Sequence, residues 1–272
     1  MLDSVSVAVS PKHAVQLAAG YMPLLDRAPQ ADYVVRTIER RQVDGLALMS
    51  AEIVIASAAT RERHPLAATY PLHFRKTYFP ASLHVAPKLE LERTREAGTL
   101  IRVPLPIGFE PHVYRSCFVP GTPYARLTPF AFEPEESNLP RAAKLPLATA
   151  VGLWHLAEDA FSELTRLHEG GLTHGDLELQ NIVACPSPLE VILVDFEGTT
   201  PIAQIPENER RSRLAADRRA LLREAVLLQV ALGRQPGPLG DLAWEHLPEL
   251  FRDADRFRRA IELRPPAEDR QH

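Results

Sequence analysis

Residues 172–198, LTHGDLELQNIVACPSPLEVILVDFEG, hold the side chains whose types and spacing suit chemistry. Asp176 and Asn181 lie five residues apart in a short stretch, and Asp195 follows directly on the apolar run Val191-Ile192-Leu193-Val194. A carboxylate, an amide and a second carboxylate make one proton acceptor and two hard oxygen ligands. Phosphoryl transfer asks for such a set, because it leaves a protein little covalent chemistry to do. It needs a carboxylate beside the attacking hydroxyl and oxygens that hold Mg²⁺ on the phosphates. Asp176 suits the first task, Asn181 and Asp195 the second. Glu197, two residues beyond Asp195, returns to the same side of an extended chain and can add a metal ligand or hold a metal-bound water. The plain alternatives are a surface Asp and Asn in a turn, and a Glu197 that faces solvent or pairs with an arginine.

Read as a motif, the stretch is H-x-D-L-x-x-x-N from His174 to Asn181, followed by Asp195-Phe196-Glu197. Here the chain resembles the protein-kinase-like superfamily. The nearer likeness is to its small bacterial branches, the aminoglycoside and choline phosphotransferases and the lipopolysaccharide (Kdo-type) kinases, which carry HGD in this loop. The resemblance implies an α+β, bilobal protein-kinase-like fold: a small antiparallel-sheet N-lobe with one helix, and a reduced, mainly helical C-lobe. It implies ATP with Mg²⁺, or Mn²⁺ in its place, and a hydroxyl-bearing acceptor that is a small molecule, a glycolipid or a protein Ser/Thr. His174 is then structural, packing beneath the loop.

The same resemblance calls for a strand lysine on the α- and β-phosphates and a helix carboxylate to orient it. Lys76 in LHFRKTYFP takes the first role, and Glu96 in REAGTL the second, with Glu92 the alternative partner. Lys88 stands too close to Glu96 for strand, turn and helix to fit between them. A solvated strand lysine is the ordinary reading of Lys76. Ser116, Cys117, Phe118 and Val119 in YRSCFVPG resemble the strand and hinge that offer backbone groups to adenine; an ordinary buried strand is compatible with that. Asp217, 22 residues after Asp195, matches the aspartate that buttresses the catalytic loop.

Some features depart from the pattern. No G-x-G-x-x-G occurs, and Gly20 and Gly45 are the only glycines between residues 1 and 97, so a turn near Ser50 or Ser57 is the candidate cover for the phosphates. Gly175 stands where an arginine would answer an activation-loop phosphate. Two other readings stay open: a nucleotide-binding pseudokinase scaffold, and a kinase-fold enzyme that transfers another group such as AMP.

The elements that must position these residues are legible in outline. Ser10-Pro11 and the spacing of Val15, Leu17, Ala18, Tyr21 and Leu25 predict a helix over residues 10–28. From Tyr33 to Phe79, the pieces YVV, GLALM, EIVIA and LHFRKTYF read as short strands, and residues 88–102 as a helix stopped by Pro104 and Pro106. Another strand covers residues 112–119, and Pro120-Gly121 closes residues 1–120 as one domain, with 121–272 as the second. In that second domain Trp154, Ala157, Phe161, Leu164 and His168 make the stripe of a helix over 147–168. Three short strands follow, near 172–174, 181–184 and 191–194, and then a helix from about Leu214 with Leu221, Ala225, Leu228 and Leu232 on one face.

Composition sets the outer bounds. With 45% hydrophobic and 24% charged residues among 272, the chain has the profile of a soluble globular protein. A net charge of −4 gives no basic field for nucleic acid, and no apolar run reaches the roughly 20 residues of a membrane span. Two cysteines without CxxC spacing and an N-terminus without a secretory pattern point to the cytoplasm, with signal-less export compatible. Walker A, G-x-S-x-G and H-E-x-x-H motifs are absent.

Overall fold

The computed structural model describes residues 31–43, 46–79, 87–131, 135–186 and 189–264. The helix expected over residues 10–28 lies outside them. The chain forms two compact units. The first runs to Pro120 and also takes in Val194–Gly198; the second holds Gly121–Leu193 and the chain from Thr199.

Unit one is built on a five-stranded antiparallel sheet of order β1-β2-β3-β5-β4: β1 (Tyr33–Val43), β2 (Leu46–Ile55), β3 (Leu72–Tyr78), β4 (Pro106–Glu110) and β5 (Val113–Cys117). The pieces GLALM and EIVIA are one strand, not two. Ser50 and Glu52 alternate with Met49, Ala51 and Ile53, so the period of two runs unbroken through both. In the register, Lys76 of β3 stands opposite Ala51 of β2 and Tyr114 of β5.

Between β2 and β3 the sequence reading expects no helix, yet α1 (Ala58–Arg63) and α2 (Pro65–Thr69) occur there. Ser57 caps α1 by accepting the Thr60 N–H at 3.1 Å, and Ala67 and Tyr70 pack with Ala56, Ile107 and Cys117. The helix expected over residues 88–102 therefore has two short companions. That helix, α3 (Pro87–Ala97), stops earlier than residue 102 because Gly98 lets the chain fold back on itself. A Cβ at Gly98 would lie 2.9 Å from Val103 Cγ2. Leu91 of α3 joins Met49, Ala51, Tyr78 and Tyr114 in one apolar cluster.

Unit two is mainly helical. Its long members are α5 (Leu147–Glu169) and α6 (Glu207–Leu232), with α4 (Glu135–Ala142) before them and α7 (Pro238–Glu245), α8 (Leu247–Leu250) and α9 (Ala254–Glu262) after. The expected stripe of α5 is buried throughout. So is that of α6, though this helix starts seven residues before Leu214, its Arg-rich first turns exposed. The Pro- and Glu-rich stretch before α5 carries α4. Two small sheets complete the unit: β6 (Thr122–Pro123), β8 (Ile182–Pro186) and β9 (Leu189–Leu193) in the order β6-β8-β9, and β7 (Leu172–Thr173) paired with β10 (Thr200–Pro201). A five-stranded antiparallel sheet with its helix, followed by a mainly helical unit, is the α+β, protein-kinase-like order of elements expected from the motifs. Among the described residues no helix is long and apolar enough to cross a membrane.

Candidate active site

Lys76 sits in the middle of β3 with its side chain 3% exposed. A lysine is rarely buried unless paired, and this one is paired three ways. Its Nζ donates to Asp195 Oδ1 at 2.8 Å and to Glu197 Oε2 at 2.6 Å, and Glu90 Oε1 lies at 3.8 Å. Burial alone would push the ammonium down, but the charges of Glu90, Asp195 and Glu197 prevail and hold it well above its usual range. Asp195 reaches this place because the chain leaves β9 at Leu193 and the next five residues group with unit one. Phe196, 1% exposed, anchors the segment. Asp195 itself has φ 70, a left-handed backbone that few non-glycine residues adopt.

The helix carboxylate beside Lys76 is Glu90, and the expectation for Glu96 is corrected. At about 100° per residue, six positions turn the helix onto another face. Glu96 accordingly pairs with Arg93 at 3.2 Å with its side chain 47% exposed, and Glu92, the alternative, pairs with exposed Lys88. Glu90 is fully buried, and burial pushes its carboxyl up to about 7 although Lys76 pulls the other way. The sequence did contain a signal for it. Pro87, Glu90, Leu91, Thr94 and Ala97 are the buried residues of α3, spaced as one helical stripe, so Glu90 is a charged residue on the packed face.

Tyr78 is the second residue that sequence reasoning missed. Its hydroxyl lies between Glu197 Oε2, to which it donates at 2.9 Å, and the Glu90 carboxylate. Glu197 thus takes neither of its plain alternatives, solvent or an arginine: its Oε2 accepts from Lys76 and Tyr78.

Among the four hinge candidates the register draws a line. Ser116 pairs with Phe74 and Pro106, Cys117 pairs with His73, and the Cys117 N–H donates to the Leu105 carbonyl at 2.8 Å. Phe118 and Val119 lie beyond the ladder, and the Phe118 ring packs on Ile53, Ile55 and Leu72. The serines considered as a phosphate cover do not serve as a turn: Ser50 is inside β2, and Ser57 caps α1. The β1–β2 connection, residues 44–45, lies outside the described residues.

Unit two places the other candidates on one braced loop. His174 is fully buried, as expected, and its carbonyl accepts from the Thr199 hydroxyl at 3.2 Å. Asp217 of α6 accepts the His174 and Gly175 N–H groups at 2.7 and 2.8 Å, which is the buttress the sequence led us to expect. His168 of α5 donates to the same carboxylate at 2.9 Å. These donors outweigh burial and hold Asp217 below its usual 3.8. Asp176 follows immediately and is exposed, while its carbonyl accepts from Asn181 Nδ2 at 2.8 Å. That bond ties up the amide nitrogen of Asn181 and leaves its side-chain oxygen as the ligand-type group.

Asp195 in unit one and Asn181 in unit two each carry a hard oxygen donor of the kind Mg²⁺ takes, an ion bound mostly through one or two carboxylates, phosphates and water. Among the described residues no group of three or more His, Cys, Asp or Glu is arranged to hold a metal by itself. Beside the loop, unit two also has a cavity of about 440 Å³ whose wall includes Glu178, Leu179, Gln180, Arg223, Glu224 and Phe251.

No protein-family model matches the chain, and no curated protein matches its sequence. In structure it is similar to a Rio2 kinase–ADP/Mg²⁺-phosphoaspartate complex from Chaetomium thermophilum, with 14% identity over 90% of this chain and 72% of that one and a TM-score of 0.46. It is also similar to a mutant PknI kinase domain from Mycobacterium tuberculosis, with 18% identity over 86% and 89% of the two chains and a TM-score of 0.41.

Proposed function

We propose that the protein is an ATP- and Mg²⁺-dependent phosphotransferase of the protein-kinase-like superfamily, passing the γ-phosphate to a hydroxyl. The observation that carries this reading is the 2.8 Å bond between buried Lys76 and Asp195, residues 119 positions apart that belong to two separate parts of the motif set. Mg²⁺, when bound, would supply positive charge to neutralise what develops on the phosphates. Asp195 and Asn181 would hold it. Lys76 contributes a fixed positive charge to the phosphate oxygens, kept protonated by its carboxylates. Phe118 and Val119 offer main-chain groups to a purine edge. Asp176, on a loop fixed from behind by Asp217, takes the proton from the acceptor hydroxyl. The cavity beside Glu178–Gln180 has room for a small acceptor and contains both carboxylate and guanidinium groups, which favours a small polar molecule over a protein chain.

One observation favours a second reading. Glu197 lies 2.6 Å from Lys76, closer than Asp195 does, so a carboxylate already occupies the ammonium that phosphates would need. A nucleotide-responsive scaffold without transfer would tolerate that arrangement. Incubation with γ-labelled and α-labelled ATP plus Mg²⁺ separates the readings. Transfer of the γ label supports the phosphotransferase. Transfer of the α label means adenylylation, and no transfer despite Mg-ATP binding means a scaffold.

A further inference from the structure

Tyr78 stands two residues beyond Lys76 on β3, so both side chains leave the same face of the sheet. The Tyr78 ring is 3% exposed and packs with Met49, Ala51, Leu91 and Tyr114. A phenol this deeply buried needs a partner for its hydroxyl. Tyr78 has two, and they come from distant parts of the chain: Glu90 of α3, 12 residues away, and Glu197, 119 residues away at 2.9 Å.

Glu197 belongs to Val194–Gly198, a five-residue segment of unit one flanked on both sides by residues of unit two. Within it, Asp195 holds a left-handed backbone at φ 70, a conformation that persists in a non-glycine residue only when its surroundings enforce it. Lys76 bonds both Asp195 and Glu197, but on the phosphotransferase reading its ammonium, on a four-carbon stem, must also serve phosphate oxygens. The Tyr78 hydroxyl is fixed by a packed ring, and its bond to Glu197 does not pass through Lys76.

We propose that Tyr78, backed by Glu90, is a positioning residue: its hydroxyl holds Glu197, and so keeps Asp195 in place when Lys76 turns to the phosphates. The role toward nucleotide rests on the phosphotransferase reading; the holding of Val194–Gly198 does not.

Tyr78→Phe removes the hydroxyl and keeps the ring, and Tyr114→Phe removes another buried hydroxyl on the same face, one that donates to Thr94 at 3.2 Å. Amide hydrogen exchange without nucleotide is the first readout. Loss of a hydrogen bond to a charged group should lower protection of Val194–Gly198 on the order of ten- to a hundredfold in Tyr78→Phe, with β3 and α3, which hold Tyr78 and Glu90, changing less and Tyr114→Phe like wild type. The Kd for Mg-ATP, by calorimetry, should rise by up to the same factor, because only the held segment presents Asp195. Unchanged exchange at Val194–Gly198 overturns the proposal. So does a uniform acceleration across β3 and α3 with an unchanged Kd, the signature of a hydroxyl that only stabilises the sheet. Should Tyr78→Phe fail to fold, Glu197→Gln weakens the acceptor at its other end and should loosen the same segment. A protein that binds no Mg-ATP refutes the phosphotransferase reading, while the exchange experiment still decides whether Tyr78 holds the segment.

Discussion

Asp217→Asn tests whether the loop carrying Asp176 is held from behind. The wild-type carboxylate serves three donors: Gly175 N–H on Oδ1, and His174 N–H with His168 Nε2 on Oδ2. Asparagine offers one oxygen and one NH₂ in the same space. Its oxygen goes where two donors converge, which turns the NH₂ against the Gly175 N–H, donor to donor. One charge-assisted bond is lost and two become neutral, so the cost should be about 2–3 kcal/mol. For a unit of this size that lowers the melting temperature by about 4–10 °C. The pH dependence has a definite sign. Asp217 is held below 3.8 in the folded protein, so its contribution is present above that pH and is lost as pH falls through the folded value. The variant should therefore show a flatter acid limb. On the phosphotransferase reading, transfer should fall in kcat while Mg-ATP binding persists, because Gly175 directly precedes Asp176 in the chain. Thermal melts from pH 3 to 8 and single-turnover transfer measure both. A variant that melts within about 1 °C of wild type at neutral pH would refute the buttress.

Lys76→Met leaves Asp195 and Glu197 facing Glu90 without their cation. It should cost about 2–3 kcal/mol, less than a fully buried pair because those two side chains keep 28% and 22% exposure, and it should abolish the Mg-ATP melting shift. Glu96→Ala should behave as wild type in both measurements whereas Glu90→Ala should not; equal effects would reverse the assignment made from the geometry. Asp195→Ala should abolish Mg²⁺-dependent stabilisation by ATP, and Asp176→Ala should keep it while losing transfer; identical melting shifts in the two would contradict their roles. Glu224 is fully buried, and burial pushes its carboxyl up from 4.5 to about 7 against hydrogen bonds from Thr128 and Tyr124. The folded protein then binds a proton that the unfolded chain has released, so stability should fall between pH 4.5 and 7, by about 3 kcal/mol for this group. Glu224→Gln should flatten that slope, and an unchanged slope would place the titration elsewhere.

The loop residues were legible because their chemistry is local. His174, Asp176 and Asn181 sit within eight residues, and the bonds that order them are short-range or run to Asp217, whose position followed from its distance to Asp195. The stripes of α5 and α6 were legible for the same reason, since a helical period appears in the sequence itself. Two short helices between β2 and β3 were not. Their residues, AATRERHPLAAT, have weak periodicity; Ala67 of α2 packs with Cys117 and Ile107 from later strands, and Thr60 of α1 donates to Asp32 at 2.7 Å.

The partner of Lys76 shows where pattern and physics diverge. The motif REAGTL points to Glu96; Glu90 is the partner because it shares a face with Leu91, Thr94 and Ala97, the residues that seat the helix on the sheet. A carboxylate can reach a buried ammonium only from the face that is itself buried, so the packed stripe, and not the local motif, selects the residue. The same constraint explains Tyr78 and Glu197. Once β3 turns Lys76 inward, the period of two turns Tyr78 inward as well. An inward phenol beside the Glu90 and Glu197 carboxylates needs an acceptor for its hydroxyl proton. Glu197 supplies that acceptor from the end of a segment that the fold delivers to unit one, a long-range fact with no trace in the sequence around either residue.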